Sequence, residues 1–115
     1  MRLVCFLMAI LSMLFVATIG YAIEGVETSY LKVKKLKLAS GYMYYTAKVT
    51  VKNTTSQTKK VHVEIQGVDR DGFEINSFTL SGAVKARSRR TLTDSSIIDF
   101  SEWRRIKKWQ IDEIW

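Results

Sequence analysis

The chain has 115 residues, enough for one domain, and its 18 lysines and arginines against 11 acidic residues give a formal charge of +7. A single cysteine excludes an intrachain disulfide, and a single histidine offers little material for a zinc site or a catalytic triad. The composition is otherwise ordinary for a globular protein.

The N-terminus has the pattern of a secretory signal peptide. Arg2 precedes an uncharged apolar run over residues 3–19, and Gly20-Tyr21-Ala22 supplies small residues for a peptidase. Cleavage after Ala22 would lower the charge to +6, because only Arg2 is lost. The alternative is an uncleaved membrane anchor, since 17 apolar residues lie at the short limit of a membrane span.

Short strands separated by turns are predicted over the rest of the chain. The strands cover residues 30–38, 42–52, 60–68, 73–80, 83–93 and 108–115, with residues 95–100 as a further strand or its end. Turns are predicted at 39–41, 53–58, 69–72 and 81–82, and a helical turn capped by Ser101 at 101–106. A parity slip between Val33 and Leu36 predicts a bulge or a strand that changes sheets, and the lysines of this first strand suit a sheet edge.

The strongest signal is a side-chain period of two between residues 43 and 75, which is typical of antiparallel strands with one buried face. It predicts that one core buries Tyr45, Ala47, Val49, Val51, Val63, Ile65, Phe73 and Trp109. The number of short strands predicts an all-β fold, an antiparallel β-sandwich of about seven strands, as a single domain over residues 23–115. A signal helix in residues 1–22 would precede it.

Residues 45–100 resemble the FxLYD-type domains of prokaryotic envelope proteins. Val49-Thr50-Val51-Lys52-Asn53 is similar to the family's strand that ends in Val-x-Asn before a polar loop. Residues 65–69 stand where the family has Phe-x-Leu-Tyr-Asp, with Asp69 matching and Ile65, Gly67 and Val68 differing. The resemblance implies an immunoglobulin-like sandwich outside the cytoplasm and implies no activity.

Basic residues suggest a contact surface. One group lies on the first strand, and Lys85, Arg87 and Arg89 alternate within the predicted strand 83–93, so that they would form one basic contact face. Nucleic acid is not an expected partner of an exported chain. A protein, anionic lipid head groups or an acidic envelope polymer are the alternatives to a plain solvated surface.

The remaining motifs predict no catalytic, cofactor or metal site. An EF-hand containing Asp69-Arg70-Asp71-Gly72 would place Gly67 and Phe78 at its end positions, so a hairpin turn is expected instead. His62 falls on the polar side of its strand. Trp109 is expected in the core and Trp115 partly exposed, as a candidate contact for a protein partner.

Asn53-Thr54-Thr55 fits a glycosylation sequon that a bacterial host would leave unused.

These features predict a small exported, non-enzymatic β-sandwich that acts by binding, as an accessory part of the bacterial cell envelope. It would be periplasmic or secreted. The first alternative is an assembly factor anchored in the inner membrane by residues 3–19. The second is a small envelope enzyme.

Overall fold

A computed structural model describes residues 23–115, which form two antiparallel sheets of three strands each. The elements are β1 (Val26–Ala39), β2 (Tyr42–Asn53), β3 (Lys59–Val68), β4 (Glu74–Val84), β5 (Ser88–Asp99), α1 (Phe100–Trp103) and β6 (Lys108–Ile114). Sheet I has the order β1-β2-β5 and sheet II the order β4-β3-β6. The all-β prediction is confirmed with six strands, not about seven. The predicted signal helix lies outside the described residues.

The connections place the loops at two opposite ends of the molecule. The β1–β2 and β3–β4 turns, at residues 40–41 and 69–73, lie at the same end as α1, which we call the hairpin end. Residues 23–25, 54–58 and 85–87 meet at the other end, which we call the loop end. Within residues 23–115, no helix has the length and hydropathy needed to cross a bilayer.

The core lies between the inner faces of the two sheets. Its fully buried residues include Ala47, Val49 and Val51 from sheet I and Val61, Val63, Ile65 and Val84 from sheet II. The parity prediction is confirmed for all its members in β2 and β3, because strict alternation in these two strands turns every second side chain inward. Both strands are central in their sheets, so each has a neighbour on both sides.

An aromatic cluster closes the hairpin end of the core. The buried Tyr45 ring has its centroid 5.4 Å from those of both Trp103 and Trp109, and it meets Phe78 edge-on at 5.9 Å. Asn76 Nδ2 donates to the Tyr45 hydroxyl at 3.0 Å. Burial raises the pKa of this phenol. Trp109 therefore packs against the core as predicted, although it stays partly accessible.

Phe73 contradicts the core prediction, since 70% of its surface is exposed. It belongs to the turn before β4, where its amide donates to Asp69 Oδ1 at 3.0 Å. The pairing of β3 with β4 also shifts register between Gly67 and Val68. Side-chain parity counted from β3 does not continue across such a shift. The prediction therefore failed at Phe73, which it had placed at the start of the next strand.

β1 is an edge strand with two irregularities. Its register against β2 shifts between Ser29 and Lys32 and again between Lys35 and Lys37. The second shift confirms the bulge predicted between Val33 and Leu36, and the edge placement is also confirmed. The first shift was not predicted; it contains Tyr30, whose φ is 54°.

The predicted break at Ser81-Gly82 is wrong, because β4 continues to Val84. A Cβ atom on Gly82 would lie 2.7 Å from Leu92 Cδ2 and 3.0 Å from an Arg90 guanidinium nitrogen. Gly82 therefore serves close packing against β5 rather than a turn. β5 is one continuous strand, so residues 95–99 are its end, which is the second of the two predicted alternatives, and Phe100 begins α1.

The chain after β5 also differs from the prediction in detail. Asp99, not Ser101, caps α1, and its carboxylate accepts from the Ser101 amide at 2.9 Å. In β6 a register shift separates Ile111 from Glu113, so the inward side changes and Ile114 is buried. Trp115 is 49% exposed, as expected, and stacks on His62 at 5.3 Å.

One pair of variants tests the alternation on which this fold rests. Val49→Asp should destabilise the protein by several kcal/mol, because the carboxylate would be forced into an apolar interior. Lys48→Asp places the same group one residue away on the exposed face and should leave the melting temperature nearly unchanged. Equal melting temperatures for the two variants would contradict the assigned faces.

Candidate functional site

The outer face of sheet I is rich in cations. The strand register and burial place six of them there, and we call this surface the basic face: Lys32, Lys34, Lys37, Lys48, Lys52 and Arg89. Lys32 stands opposite Lys48, and Lys52 stands opposite Arg89. Like charges directly opposite each other destabilise a sheet. The arrangement is therefore not one that folding stability alone favours.

The three cations predicted to alternate along one strand do not share a strand. β4 ends at Val84, residues 85–87 connect the strands, and only Arg89 lies in β5. The strand placement of Lys85 and Arg87 was wrong because the turn was assigned to Ser81-Gly82. Their role as a contact surface is a separate question and stays a prediction.

Arg87 and Arg89 nevertheless line one cavity at the loop end. Lys52 lines it as well, and its other lining residues are Asn53, Thr54 and Ser88. The cavity has a volume of about 400 Å³ and opens to solvent. Half of these six residues are cationic and none is acidic. We call this feature the loop-end cavity.

The neutral groups of the cavity are already engaged with the backbone. Thr54 Oγ1 donates to the Gly25 carbonyl at 2.9 Å, and Ser88 Oγ donates to the Lys85 carbonyl at 2.7 Å. The chemistry that the cavity offers to a ligand therefore comes mainly from the ammonium and guanidinium groups. Such groups donate charge-assisted hydrogen bonds to phosphate, sulfate or carboxylate oxygens.

Asn53 organises the loop end. It is the one buried polar side chain in the described part of the chain. Its Nδ2 donates to the carbonyls of Val84 at 2.9 Å, Lys85 at 3.2 Å and Gln57 at 2.8 Å. Its Oδ1 accepts from the Thr55 amide at 2.9 Å and from Thr55 Oγ1 at 2.7 Å. One amide thus joins the end of β2 to both neighbouring loops.

Backbone contacts complete this junction. The Arg87 amide donates to the Thr55 carbonyl at 3.0 Å, and the Thr54 amide donates to the Gly25 carbonyl at 2.8 Å. Asn53 is also the acceptor of the glycosylation sequon. Because its side chain has no exposed surface and bonds both loops, the folded protein cannot present it for glycosylation.

The opposite surface, the outer face of sheet II, carries an acidic group. Carboxylate oxygens of Glu64, Asp112 and Glu113 lie within 4.8 Å of one another. Desolvation, followed by the charge of Asp112, raises the pKa of the Glu64 carboxyl. These are the described residues whose donor set could hold a cation, but a cluster of exposed carboxylates is common without that role. The outer face of sheet II therefore carries a local acidic group, with Lys60 on the same face, in contrast to the basic face of sheet I.

The remaining candidates have structural roles. Asp69 Oδ1 accepts from the amides of Asp71 and Phe73, and Gly72 has a φ of 86°, so this segment is the local turn that was predicted. His62 lies on the outer face of sheet II, where its Nδ1 is 2.7 Å from Ser81 Oγ.

Sequence reasoning did not identify Lys52 and Asn53 as functional candidates. A signal for Asn53 was present, since it continues the inward parity of Val49 and Val51. A polar residue at an inward position is buried only with hydrogen-bond partners. Thr55 and Gln57 are local partners of Asn53, but its partners Val84 and Lys85 lie 31 and 32 positions away, and no local pattern indicates these two.

Comparisons with known proteins show a fold and no family. No protein-family model matches the sequence, and no curated protein matches it. Part of the chain is similar to a structure described as a beta-glucuronidase from glycoside hydrolase family 2, with 17% identity and a TM-score of 0.52, over 60% of this chain and 7% of that one. Another similar structure, a target of the Northeast Structural Genomics Consortium, has 13% identity and a TM-score of 0.45, over 66% of this chain and 64% of that one.

The first of these likenesses shows a shared strand arrangement alone, because identity is low and this chain spans a small part of the glucuronidase. The second has too low a TM-score to carry any argument. Neither assigns an activity to this chain.

We expect Asn53→Ala to lower the free energy of unfolding by about 2–4 kcal/mol, because buried carbonyls of two loops would lose their donor. Asn76→Ala is a matched control that removes an amide with one recorded partner, the Tyr45 hydroxyl, and it should cost about 1 kcal/mol. Urea unfolding measures both. A loss for Asn53→Ala no larger than that for Asn76→Ala would contradict the role assigned to Asn53.

Proposed function

We propose that this chain is a small exported binding module of the bacterial cell envelope, an immunoglobulin-like sandwich whose basic face contacts an anionic membrane surface. The observation that carries the proposal is the collection of six cations on the outer face of sheet I. Their spread over three neighbouring strands makes a broad surface rather than a cleft. A broad cationic surface suits a contact with many weakly held anions.

The chemistry of the rest of this face agrees with such a contact. Hydroxyl pairs lie between the cations, with Thr46 Oγ1 3.0 Å from Ser95 Oγ and Thr50 Oγ1 3.4 Å from Thr91 Oγ1. Each lysine or arginine near an anionic bilayer contributes roughly 1 kcal/mol to binding. Six such groups would support reversible association that weakens as salt is added.

The acidic group on the outer face of sheet II would also orient the molecule. Glu64, Asp112 and Glu113 lie on the face of sheet II, and an anionic surface repels them. The protein would therefore approach such a surface with sheet I first. The export pattern around Arg2 and Gly20-Tyr21-Ala22 supports a location where anionic lipid head groups, and not nucleic acid, are within reach.

Vesicle co-sedimentation of the exported protein tests the proposal. We expect binding to vesicles that contain phosphatidylglycerol, weaker binding at higher salt, and little binding to phosphatidylcholine alone. The triple variant Lys32→Ser, Lys34→Ser, Lys48→Ser should lose most of the binding. A control triple variant, Lys60→Ser, Arg105→Ser, Lys108→Ser, removes equal charge away from the basic face and should retain it.

Equal loss of vesicle binding in both triple variants would show that only the net charge matters. That result would contradict binding through the basic face. If the protein bound an acidic envelope polymer and neither kind of vesicle, the polymer would replace the membrane as the proposed partner.

A second candidate, a module anchored through residues 3–19, is favoured by the position of the loop end. Val26 pairs with Asn53, so the described chain starts beside the loop-end cavity. If residues 3–19 were anchored in a bilayer, the seven-residue connection to Val26 could span at most about 25 Å. A retained anchor would hold the cavity near the bilayer. Mass spectrometry of the native protein separates the candidates: an N-terminus at Ile23 supports the free module, and retention of residues 3–19 supports the anchor.

A further inference from the structure

We infer that the loop-end cavity is a site for a single phosphate group, either the head-group phosphate of an anionic lipid or a free phosphate ion. The inference deepens the proposed function and rests on it, because the cavity would be the saturable part of an otherwise diffuse basic surface. Three different segments supply its cations: Lys52 from β2, Arg87 from the β4–β5 connection and Arg89 from β5.

The charge balance of the cavity favours an anion. Lys52 and Arg89 face each other across paired strands, and like charges placed in this way repel. Glu27 on β1 places a negative charge beside Lys52 on its other side, whereas the lining of the cavity itself has three cations and no acidic residue. Two guanidinium groups offer planar arrays of donors that match phosphate oxygens, and the ammonium group adds a third charge.

The backbone of Arg87 adopts a conformation that glycine would adopt more readily. Its φ of 52° lies in the left-handed region, where an L-residue other than asparagine or glycine is disfavoured. The turn is held in this conformation by the hydrogen bond from the Arg87 amide to the Thr55 carbonyl. Glycine would make the same turn without strain. Tyr30 and Ser40 adopt the same φ region outside the cavity, so this conformation is a property of the turn. At Arg87 it permits a glycine substitution that removes the side chain without straining the backbone.

The support beneath the cavity is rigid. Asn53 fixes β2 to the Val84 and Lys85 carbonyls, so Lys52 and the start of the β4–β5 connection cannot separate without breaking buried hydrogen bonds. The cavity, with a volume of about 400 Å³, is open to solvent and has room for a phosphate group. Because the cavity is open, we expect phosphate to bind with a dissociation constant in the millimolar range and to exchange rapidly with solvent.

The test is a titration of the exported protein with sodium phosphate, followed by amide NMR, against sodium chloride at matched ionic strength. We expect saturable shifts of the amides of residues 52–55 and 85–89 with phosphate only. Arg87→Gly and Arg89→Ser should each weaken phosphate binding about tenfold, the amount expected for loss of a charge-assisted hydrogen bond. Arg105→Ser removes the same charge at the hairpin end and should leave the affinity unchanged.

Arg87→Gly also separates binding from folding. Because glycine adopts positive φ without strain, the melting temperature of this variant should equal or exceed that of the unchanged protein, while its affinity for phosphate falls. A retained affinity in this variant, or shifts that do not saturate, would overturn the phosphate site. Binding to phosphatidylglycerol vesicles through Lys32, Lys34 and Lys48 would survive that result, so the proposed function would stand or fall separately.

Competition identifies the source of the phosphate. If free phosphate displaces the protein from phosphatidylglycerol vesicles, and Arg87→Gly weakens vesicle binding, then the cavity binds a lipid head group. If phosphate binds saturably without affecting vesicle association, the cavity is a site for soluble phosphate or a small phosphate ester. If neither the phosphate titration nor the vesicle competition showed saturable binding, with the Asn53 hydrogen bonds intact, the proposed phosphate site would be overturned.

Discussion

The hydrogen bonds of one buried amide, that of Asn53, hold together the end of the molecule to which the candidate site belongs. A buried amide is stable only when its donors and acceptor are paired, and here they bond the β2–β3 loop and the β4–β5 connection at once. Both of these segments cross between the sheets. The amide therefore fixes the spacing of the two sheets at the loop end, as the Tyr45 cluster does at the hairpin end.

Charged residues are distributed differently over the interior and the two outer faces of the sandwich. The interior between the sheets is aliphatic and aromatic, the outer face of sheet I is basic, and the outer face of sheet II carries the acidic group of Glu64, Asp112 and Glu113. Opposed cations such as Lys32 and Lys48 lower stability, and the buried core offsets that cost. The proposed contact with an anionic surface rests on this concentration of cations on one face.

The sequence predicted what depends on local periodicity and missed what depends on pairing between distant residues. The inward residues of β2 and β3 were found because both strands alternate without interruption. Phe73 was placed in the core wrongly because a register shift changes which side faces inward, and such a shift is set by the partner strand. Gly82 resembled a turn residue, but it is glycine because Leu92 approaches closely from β5.

The same contrast between local pattern and distant pairing applies to the candidate site. Arg87 and Arg89 were selected for their spacing along one predicted strand, but residues 83–93 are divided between β4, a connection and β5. They meet at one cavity for a different reason, which is that a connection and a strand start converge beside Lys52. Nothing in the local sequence indicates this convergence, since it follows from the topology. The resemblance to FxLYD-type domains rests on the strand that ends at Asn53, and no comparison bears on it.

The central claim is that Asn53 holds the cationic connection in place, and amide hydrogen exchange at Arg87 tests it most directly. The Arg87 amide bonds the Thr55 carbonyl at the loop end, whereas the Phe100 amide bonds the Gly41 carbonyl at 2.9 Å at the hairpin end. In Asn53→Ala we predict that exchange at Arg87 accelerates at least about tenfold more than exchange at Phe100, because the opening is local. Equal acceleration at both amides, or none at Arg87, would contradict the claim.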